Sequence, residues 1–211
     1  MNKLADIRKE YNKDQLSKEK LHNDPFQQFD KWMNETLEAQ CHEPTSMTLA
    51  TVDQDQMPNC RIVLLKDVDD GFVFFTNYDS KKGSELLHTK KAALNFFWPE
   101  LERQVRIRGI IEKVSAEKSD KYYQSRPRES RLGAWASNQS SIVKNSTELD
   151  NNYRQLQEKY SDREIPRPQH WGGYVLKPVS IEFWQGKANR MHDRFQYVLN
   201  NNEWIINQLA P

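Results

Sequence analysis

The chain has 211 residues, which suits one large domain or two small ones with a substantial core. The hydrophobic fraction of 36% is low, but six Trp, nine Phe and eight Tyr at a net charge of +1 exclude a disordered chain and indicate an aromatic core under a polar surface. Because 31 Lys and Arg residues balance 30 Asp and Glu residues, bulk charge gives no support to a nucleic-acid or membrane-surface protein.

Metal, disulfide and targeting signals are weak. Cys41 and Cys60 form no CxxC pair, and no histidine cluster has metal-ligand spacing, so we expect no structural metal and no disulfide framework. The first twenty residues lack the apolar core of a signal peptide, and no run approaches the roughly 18 apolar residues of a membrane span. These features predict a cytoplasmic protein that does not bind a membrane.

The N-terminal segment differs from the rest of the chain. Residues 1–24 alternate charged residues with few apolar anchors, which predicts a mobile arm able to fold over a ligand. Residues 25–211 are predicted to form a single domain. It opens with a helix, because Asp24 is a typical N-cap, Pro25 suits the first helical position, and apolar residues from Phe26 to Leu37 recur every three or four positions.

Short β-type runs follow Pro44. They are Met47 to Val52, Arg61 to Lys66, Phe72 to Thr76, Ala92 to Trp98 and Gln104 to Val114, and the Asp-Gly pair within residues 67–71 predicts a hairpin. Because these runs are too close together for helical crossovers, we expect an antiparallel sheet or barrel. The predicted fold class is α+β, mainly β, with helices flanking the barrel.

Three further helices and a second β region complete the prediction. Ser80 caps a short helix, a helix covers residues 116–125 because Pro127 disfavours helical geometry at Arg126, and a third helix covers residues 147–160. Residues 170–211 alternate again and predict strands and hairpins, with a turn at residues 200–202.

Common nucleotide-binding and hydrolase motifs are missing from the sequence. It contains no GxGxxG, GxxxxGK[ST], GxSxG or HExxH pattern. With only seven glycines, the chain has few backbone cradles for phosphate, so side chains must hold any phosphate that it binds.

Two basic groups lie in the first half of the chain. Arg61 and Lys66 stand at the ends of an apolar strand and are predicted to point to opposite faces. Lys81 and Lys82 occupy the first turn of a helix, where the macrodipole repels cations, so a bound phosphate would explain both. Solvated surface charges remain the alternative for each pair.

Two more groups of polar residues follow. Tyr122 and Arg126 share a helix face, and the break at Pro127 lets Ser130 approach them, which makes a donor set of phosphate size. An ordinary basic loop is the alternative. Arg190, His192 and Arg194 alternate along a segment predicted to be extended, so all three are expected on one side, facing an anionic or aromatic partner such as a flavin or a pyridine ring.

The motifs RIVLLK, FFTNYDSKK, LERQVRIRG, YYQSRPRESRLGAWASNQSS, WGGY, IEFWQG and RMHDRF occur in this order, and the chain ends in QLAP. In these motifs the sequence resembles the pyridoxamine 5'-phosphate oxidase family over nearly its whole length. The resemblance implies a split β-barrel homodimer with FMN at the subunit interface. It also implies oxidation of pyridoxine or pyridoxamine 5'-phosphate to pyridoxal 5'-phosphate, with O2 as acceptor and H2O2 as product.

The same resemblance assigns roles to residues. By similarity, FMN is bound by Arg61, Ile62, Val63, Leu64, Leu65, Lys66, Phe75, Thr76, Lys81, Lys82, Gln104, Gln139, Ser140, Trp184 and Arg194. The substrate phosphate is bound by Lys66, Tyr122, Arg126 and Ser130, while Arg190 and His192 approach the pyridine ring as the catalytic pair. Arg8, Lys9, Glu10 and Tyr11 match a segment that closes over the site.

The sequence departs from the family pattern at three positions, and two alternative functions are compatible with its residues. Lys9 and Lys81 stand where arginine is frequent, and Phe75 replaces a frequent tyrosine; the lost bidentate geometry at Lys81 lowers the expected FMN affinity. The main alternative is a flavin-binding split barrel of other specificity. A single-stranded nucleic-acid binder is the other, disfavoured by the near-zero net charge.

Overall fold

The computed structural model describes residues 4–7, 9–143 and 145–211. Within these residues the helices are α1 (Pro25–Glu38), α2 (Lys81–Thr89), α3 (Ala116–Ser125), α4 (Arg128–Ala136) and α5 (Ser146–Lys159). The strands are β1 (Ser46–Val52), β2 (Pro58–Leu64), β3 (Asp67–Val68), β4 (Phe72–Asn77), β5 (Lys91–Trp98), β6 (Arg103–Lys113), β7 (Trp171–Gln185), β8 (Asp193–Asn200) and β9 (Glu203–Gln208). The predicted α+β, mainly β, class with flanking helices is confirmed.

All of these strands join one curled antiparallel sheet. Its order is β2-β1-β5-β6-β7-β4-β3, and β8 and β9 extend from the C-terminal half of β7. The long strand β7 therefore pairs with β4 along its first half, with β8 along its second half, and with β6 along both. Residues 171–185 thus hold the two parts of the sheet together.

Strand β7 continues through a proline. Pro178 lacks an N–H and should interrupt a central strand, which favours two separate runs. In the structure Arg108 pairs with Ser180 and Gly109 pairs with Pro178, so Val179 is skipped and the ladder continues on both sides. A Cβ on Gly109 would lie 2.1 Å from the Lys177 carbonyl oxygen, which shows how closely the two backbones approach at this bulge.

An aromatic core fills the concave side of the sheet, as the composition predicts. Phe29 and Trp32 of α1 are buried against Phe72, Phe96 and Phe183 of three different strands. The ring pairs are tilted or edge-on, a geometry that adds roughly 0.5–1.5 kcal/mol per pair to the free energy gained from burial. Helix α1 therefore closes the core.

A second, smaller core lies under the other helices. Tyr123 of α3, Leu132 of α4 and Trp171 at the start of β7 are buried together. Helix α4 itself corrects the interpretation of this region as a basic loop, because Pro127 ends α3 with extended geometry at Arg126 and then serves as the residue that precedes α4. The second core fixes these two helices beside β4 and β7.

Local signals elsewhere act as predicted. Asp24 and Ser80 cap α1 and α2 through side-chain bonds to Phe26 N and Gly83 N. The turn between β8 and β9 has two asparagines at positive φ, Asn201 at 48° and Asn202 at 65°, which suits a tight hairpin.

Part of the N-terminal segment contacts the sheet. Leu16 is buried in the main core, and Asp14 forms an ion pair with Arg103 at 2.9 Å. Arg8, one of the predicted arm residues, lies outside the described residues. In the described part of the chain, no helix combines the length and hydrophobicity needed to cross a membrane, and no group of three or more His, Cys, Asp or Glu side chains is arranged to hold a metal ion.

Candidate functional site

A cavity of about 510 Å³ opens between the edge strand β2, strand β4 and helices α3 and α4. The predicted site residues that line it are Ile62, Val63, Leu64, Lys66, Phe75, Thr76, Lys82, Tyr122, Arg126, Ser130 and Gln139. Residues from both predicted phosphate-binding sets, the one with Lys82 and the one with Arg126, therefore line a single cavity, which we call the main cavity.

Arg126 marks one end of the main cavity. Its guanidinium carbon lies 4.7 Å from the Trp171 ring centroid, and burial lowers the pKa of the group. Its Nη1 atom is buried and has no hydrogen-bond partner among the described residues. A buried donor of this kind is costly unless a ligand accepts from it, so an anion fits here.

Three stacked aromatic rings lie beside Arg126. Tyr122 stacks on Phe75 with centroids 4.0 Å apart, and Phe75 stacks on Trp171 at 5.5 Å. Burial raises the pKa of Tyr122, while the adjacent Arg126 acts to lower it, so the phenol is a neutral donor at pH 7. With Ser130 and Lys66 on the same wall, the set matches a phosphate monoester.

Lys82 marks a second cationic point in the main cavity. Its Nζ donates to Gln139 Oε1 at 2.8 Å and to Ser80 Oγ at 3.3 Å. Burial and the neighbouring Arg61 lower the pKa of Lys82, and Glu85 opposes this shift. A phosphate bound at the first turn of α2 would offset the charge repulsion and accept from free backbone N–H groups.

Some predicted residues lie around the main cavity rather than on its wall. Arg61 forms an ion pair with Glu85 at 2.9 Å and donates to Thr51, and Leu65 is buried in the main core. Lys81 and Ser140 face a separate surface depression beside α2, so the structure does not bring them to the wall with Lys82.

Five more of the predicted residues line a second cavity, of about 470 Å³, between the N-terminal segment and the β7–β8 connection. Lys9, Glu10, Tyr11, Arg190 and His192 line it. The extended geometry predicted for residues 190–194 is wrong at Arg190 and correct only from Asp193 onwards. Arg190 ends a 3-10 turn with φ of 60°, and β8 begins only at Asp193.

The state of His192 follows from its contacts. Burial and the charges of Arg190 and Arg194 lower its pKa, so the imidazole is neutral at pH 7. The Lys187 backbone N–H donates to Nδ1 at 3.1 Å, which places the proton of the neutral ring on Nε2. His192 therefore presents a hydrogen-bond donor, while Arg190 presents a permanent cation.

A row of side chains across three strands continues from the second cavity. Gln104 of β6 pairs with Trp184 of β7, which pairs with Arg194 of β8, so the three residues share one face of the sheet. The Trp184 ring lies 4.7 Å from that of His192 and 5.7 Å from that of Tyr11. Arg194 is held by Glu182 at 2.9 Å and by the Ala210 carbonyl at 2.8 Å.

Sequence reasoning missed Trp171, Asn77 and Ser137, which also line the main cavity. Trp171 matters most, because it lies under Arg126 and stacks on Phe75. Its only local signal is the aromatic residue before Gly172 and Gly173. The stack itself depends on tertiary contacts between α3, β4 and β7.

The residues of the main cavity fit FMN. Ile62, Val63 and Leu64 give an apolar edge suited to one side of a flat ring system, and Lys82 beside the α2 N-terminus suits the phosphate. The separate donor set around Arg126, with its unpaired Nη1, leaves a place for a second anion. A flavin nucleotide and a phosphorylated substrate together would use both.

Comparison with solved structures identifies the class of protein. A pyridoxamine 5'-phosphate oxidase-related, FMN-binding protein of Nostoc punctiforme has the same fold, with a TM-score of 0.72, 17% identity, and 90% and 100% of the two chains covered. PhzG of Burkholderia lata in complex with tetrahydrophenazine-1-carboxylic acid has a TM-score of 0.88 and 28% identity over 94% and 98% of the chains. The fold is that of the FMN-binding split barrels.

Sequence comparison defines the family within that class. A family model described as pyridoxamine 5'-phosphate oxidase matches residues 33–160, and one described as the pyridoxine 5'-phosphate oxidase C-terminal dimerisation region matches residues 171–211. The pyridoxine/pyridoxamine 5'-phosphate oxidase of Cyanothece sp. is 53% identical over 209 residues, covering 99% of this chain and 98% of that protein. The pyridoxine/pyridoxamine 5'-phosphate oxidase of Burkholderia lata is 52% identical over 215 residues, covering 100% of both chains. The chain belongs to the pyridoxamine 5'-phosphate oxidase family, and it is an FMN-dependent oxidase.

Proposed function

We propose that the protein oxidises pyridoxamine 5'-phosphate or pyridoxine 5'-phosphate to pyridoxal 5'-phosphate. When held in the main cavity beside Lys82, FMN would supply the redox chemistry as the acceptor of the two electrons that leave the substrate. The alcohol and O2 then give the aldehyde and H2O2, while the amine and O2 also consume water and release ammonia. The observation that carries the proposal is the unpaired, buried Nη1 of Arg126 within a donor set of phosphate size.

The chain's own residues bind and orient the substrate. Lys66, Tyr122, Arg126 and Ser130 hold the phosphate, and that contact is equally strong before and during the reaction, so it acts mainly on KM. Arg190 and His192 act on the pyridine ring. The neutral His192 donates from Nε2 and Arg190 favours negative charge that develops on the ring, so this pair acts mainly on kcat.

The proposal includes a homodimer with FMN at the interface. The main cavity and the second cavity share no lining residue among the described ones, so one chain does not unite the phosphate site with Arg190 and His192. The match of residues 171–211 to a dimerisation region supports a partner chain that brings its second cavity to this main cavity. Each of the two active sites would then contain residues of both protomers.

A direct test is turnover of the FMN-loaded protein. We expect stoichiometric flavin absorbance after purification, and pyridoxal 5'-phosphate and H2O2 formed in equal amounts from either phosphorylated vitamer. The dephosphorylated vitamers should react with a kcat/KM lower by at least tenfold, since they lose the charge-assisted contacts of the Arg126 group. Equal kcat/KM with and without the phosphate would refute the proposal.

The PhzG neighbour suggests one alternative to include in this assay. That protein binds tetrahydrophenazine-1-carboxylic acid, whose carboxylate is an anion without a phosphate. Faster turnover of a reduced phenazine carboxylate than of either vitamer would assign the site to that substrate class instead. The phosphate-sized donor set around Arg126 favours the vitamers.

A further inference from the structure

The buried carboxylate of Glu102 lies where the N-terminal segment meets the sheet. Glu102 is 1% exposed, occupies the turn between β5 and β6, and has φ of 55°, in the left-handed region that non-glycine residues rarely adopt. A buried carboxylate requires strong hydrogen-bond donors. Here the donors come from the N-terminal segment.

Three contacts join Glu102 to that segment. The backbone N–H groups of Asn12 and Lys13 both donate to Oε2, at 2.8 Å and 3.1 Å, and the Lys9 ammonium lies 3.8 Å from Oε1. Two N–H groups on one carboxylate oxygen fix the backbone path at residues 12 and 13. They fix it immediately after Tyr11, whose ring lies against Trp184 and His192.

Gly186 provides the space that this path requires. Its N–H donates to the Glu102 carbonyl at 2.7 Å, so the two residues are directly joined. A Cβ at position 186 would lie 2.7 Å from Tyr11 Cγ and 3.1 Å from Glu102 Cβ. Glu102 therefore binds the segment through its carboxylate, and the absence of a side chain at Gly186 leaves room for the Tyr11 ring beside it.

We propose that Glu102 is a positioning residue that docks the N-terminal segment, so that Tyr11 closes the cavity formed by Arg190 and His192. It acts through the backbone of residues 12 and 13 and touches neither substrate nor FMN. Its effect on turnover rests on the proposed function, whereas its effect on the segment does not.

The test compares Glu102→Ala and Glu102→Gln with Glu100→Ala. Glu100 is the matched control, because it lies in the same turn and its carboxylate also accepts a backbone N–H, from His42 at 3.2 Å. Within the described residues, no backbone N–H of residues 9–16 donates to it. Hydrogen–deuterium exchange of a peptide covering residues 9–16 is the primary measurement. Steady-state kinetics at saturating FMN on pyridoxamine 5'-phosphate is the second.

We expect Glu102→Ala to speed exchange at residues 9–16 by at least tenfold and to lower kcat/KM by about tenfold, with FMN affinity unchanged. Glu102→Gln keeps an acceptor oxygen and should lie between Glu102→Ala and the wild type. Gly186→Ala should lower kcat/KM through Tyr11 while the Asn12 and Lys13 amides stay protected. Glu100→Ala should change neither measurement.

The inference is overturned if Glu102→Ala exchanges at the wild-type rate at residues 9–16, or if Glu100→Ala speeds exchange there by as much as Glu102→Ala does. It is also overturned if Glu102→Ala speeds exchange but leaves kcat/KM unchanged. A wild-type protein that does not oxidise the phosphorylated vitamers would refute the proposed function alone. The exchange comparison would then decide the role of Glu102, since it needs no substrate.

Discussion

Replacing Arg126 with alanine should weaken substrate binding without unfolding the protein. Arg126 has a buried Nη1 with no partner among the described residues, so its removal breaks no hydrogen bond from that atom. The stacking on Trp171 is worth roughly 0.5–2 kcal/mol, and its loss is offset by the removal of a partly buried cation. We expect the free energy of unfolding to change by less than about 1 kcal/mol.

The effect on the substrate should be much larger. A hydrogen bond to a charged group contributes about 1.5–3 kcal/mol, and about 1.4 kcal/mol corresponds to a factor of ten. Arg126→Ala should therefore raise KM for pyridoxamine 5'-phosphate by roughly 10- to 150-fold. Because the phosphate is bound equally in the ground and transition states, kcat should change little.

Arg128→Ala is the matched control, since it removes the same charge two residues away. Arg128 donates to the carbonyls of Tyr160, Ser161 and Arg163 after the end of α5, so it holds the helix rather than a ligand. It should lower Tm by a few degrees, at about 2–4 °C per kcal/mol for a chain of this size, and leave KM unchanged. Steady-state kinetics gives KM and thermal unfolding gives Tm for both variants. Equal KM values for Arg126→Ala and the wild type would refute the phosphate assignment.

Three further predictions concern the cofactor, pH and assembly. Lys82→Ala should raise the Kd of FMN by roughly 10- to 150-fold in a fluorescence titration. Lys81 does not line the main cavity, so Lys81→Ala should change this Kd less than about threefold. Equal effects of the two substitutions would contradict the assignment of the FMN phosphate to Lys82. The folded-state pKa of His192 is lowered from 6.5, so the unfolded chain binds the proton more readily than the folded chain does. The contribution of His192 to the free energy of unfolding is therefore complete above pH 6.5 and is lost as the pH falls through the folded-state pKa. The acid limb of a kcat/KM profile should accordingly lie below pH 6.5, and a limb above it would contradict this environment. Sedimentation of the FMN-loaded protein at micromolar concentration should show a dimer, and a stable loaded monomer would exclude a shared site.

Local signals predicted the elements that depend on neighbouring residues. The caps of α1 and α2 and the asparagine turn at residues 200–202 each need only a few adjacent side chains, and each has the predicted structure. Strand β7 differs, because its pairing with β6 skips Val179, next to Pro178, and then continues. A pattern confined to residues 171–185 does not contain the partner strand that sets this register.

In the candidate site, too, contacts between sequence neighbours were predictable and contacts between distant elements were not. Tyr122, Arg126 and Ser130 lie near each other in sequence, and the structure brings them to one cavity wall. Trp171 is far from all three in sequence, so its position under Arg126 appears only once β4, β7 and α3 pack together. The positive φ of Arg190 is equally invisible to an alternation pattern, since it follows from a 3-10 turn.

The division of site residues between two cavities on one chain has a genetic consequence. A gene copy carrying Arg126→Ala damages only the phosphate side, and a copy carrying Arg190→Ala damages only the ring side. If protomers exchange freely, half of the dimers in a cell with both alleles are mixed. If the sites are shared between protomers as proposed, one active site in each mixed dimer would contain both substitutions and the other would contain neither. At substrate concentrations well below the raised KM of Arg126→Ala, the two impaired alleles would then complement each other to about a quarter of the wild-type activity, the share of intact sites under random pairing.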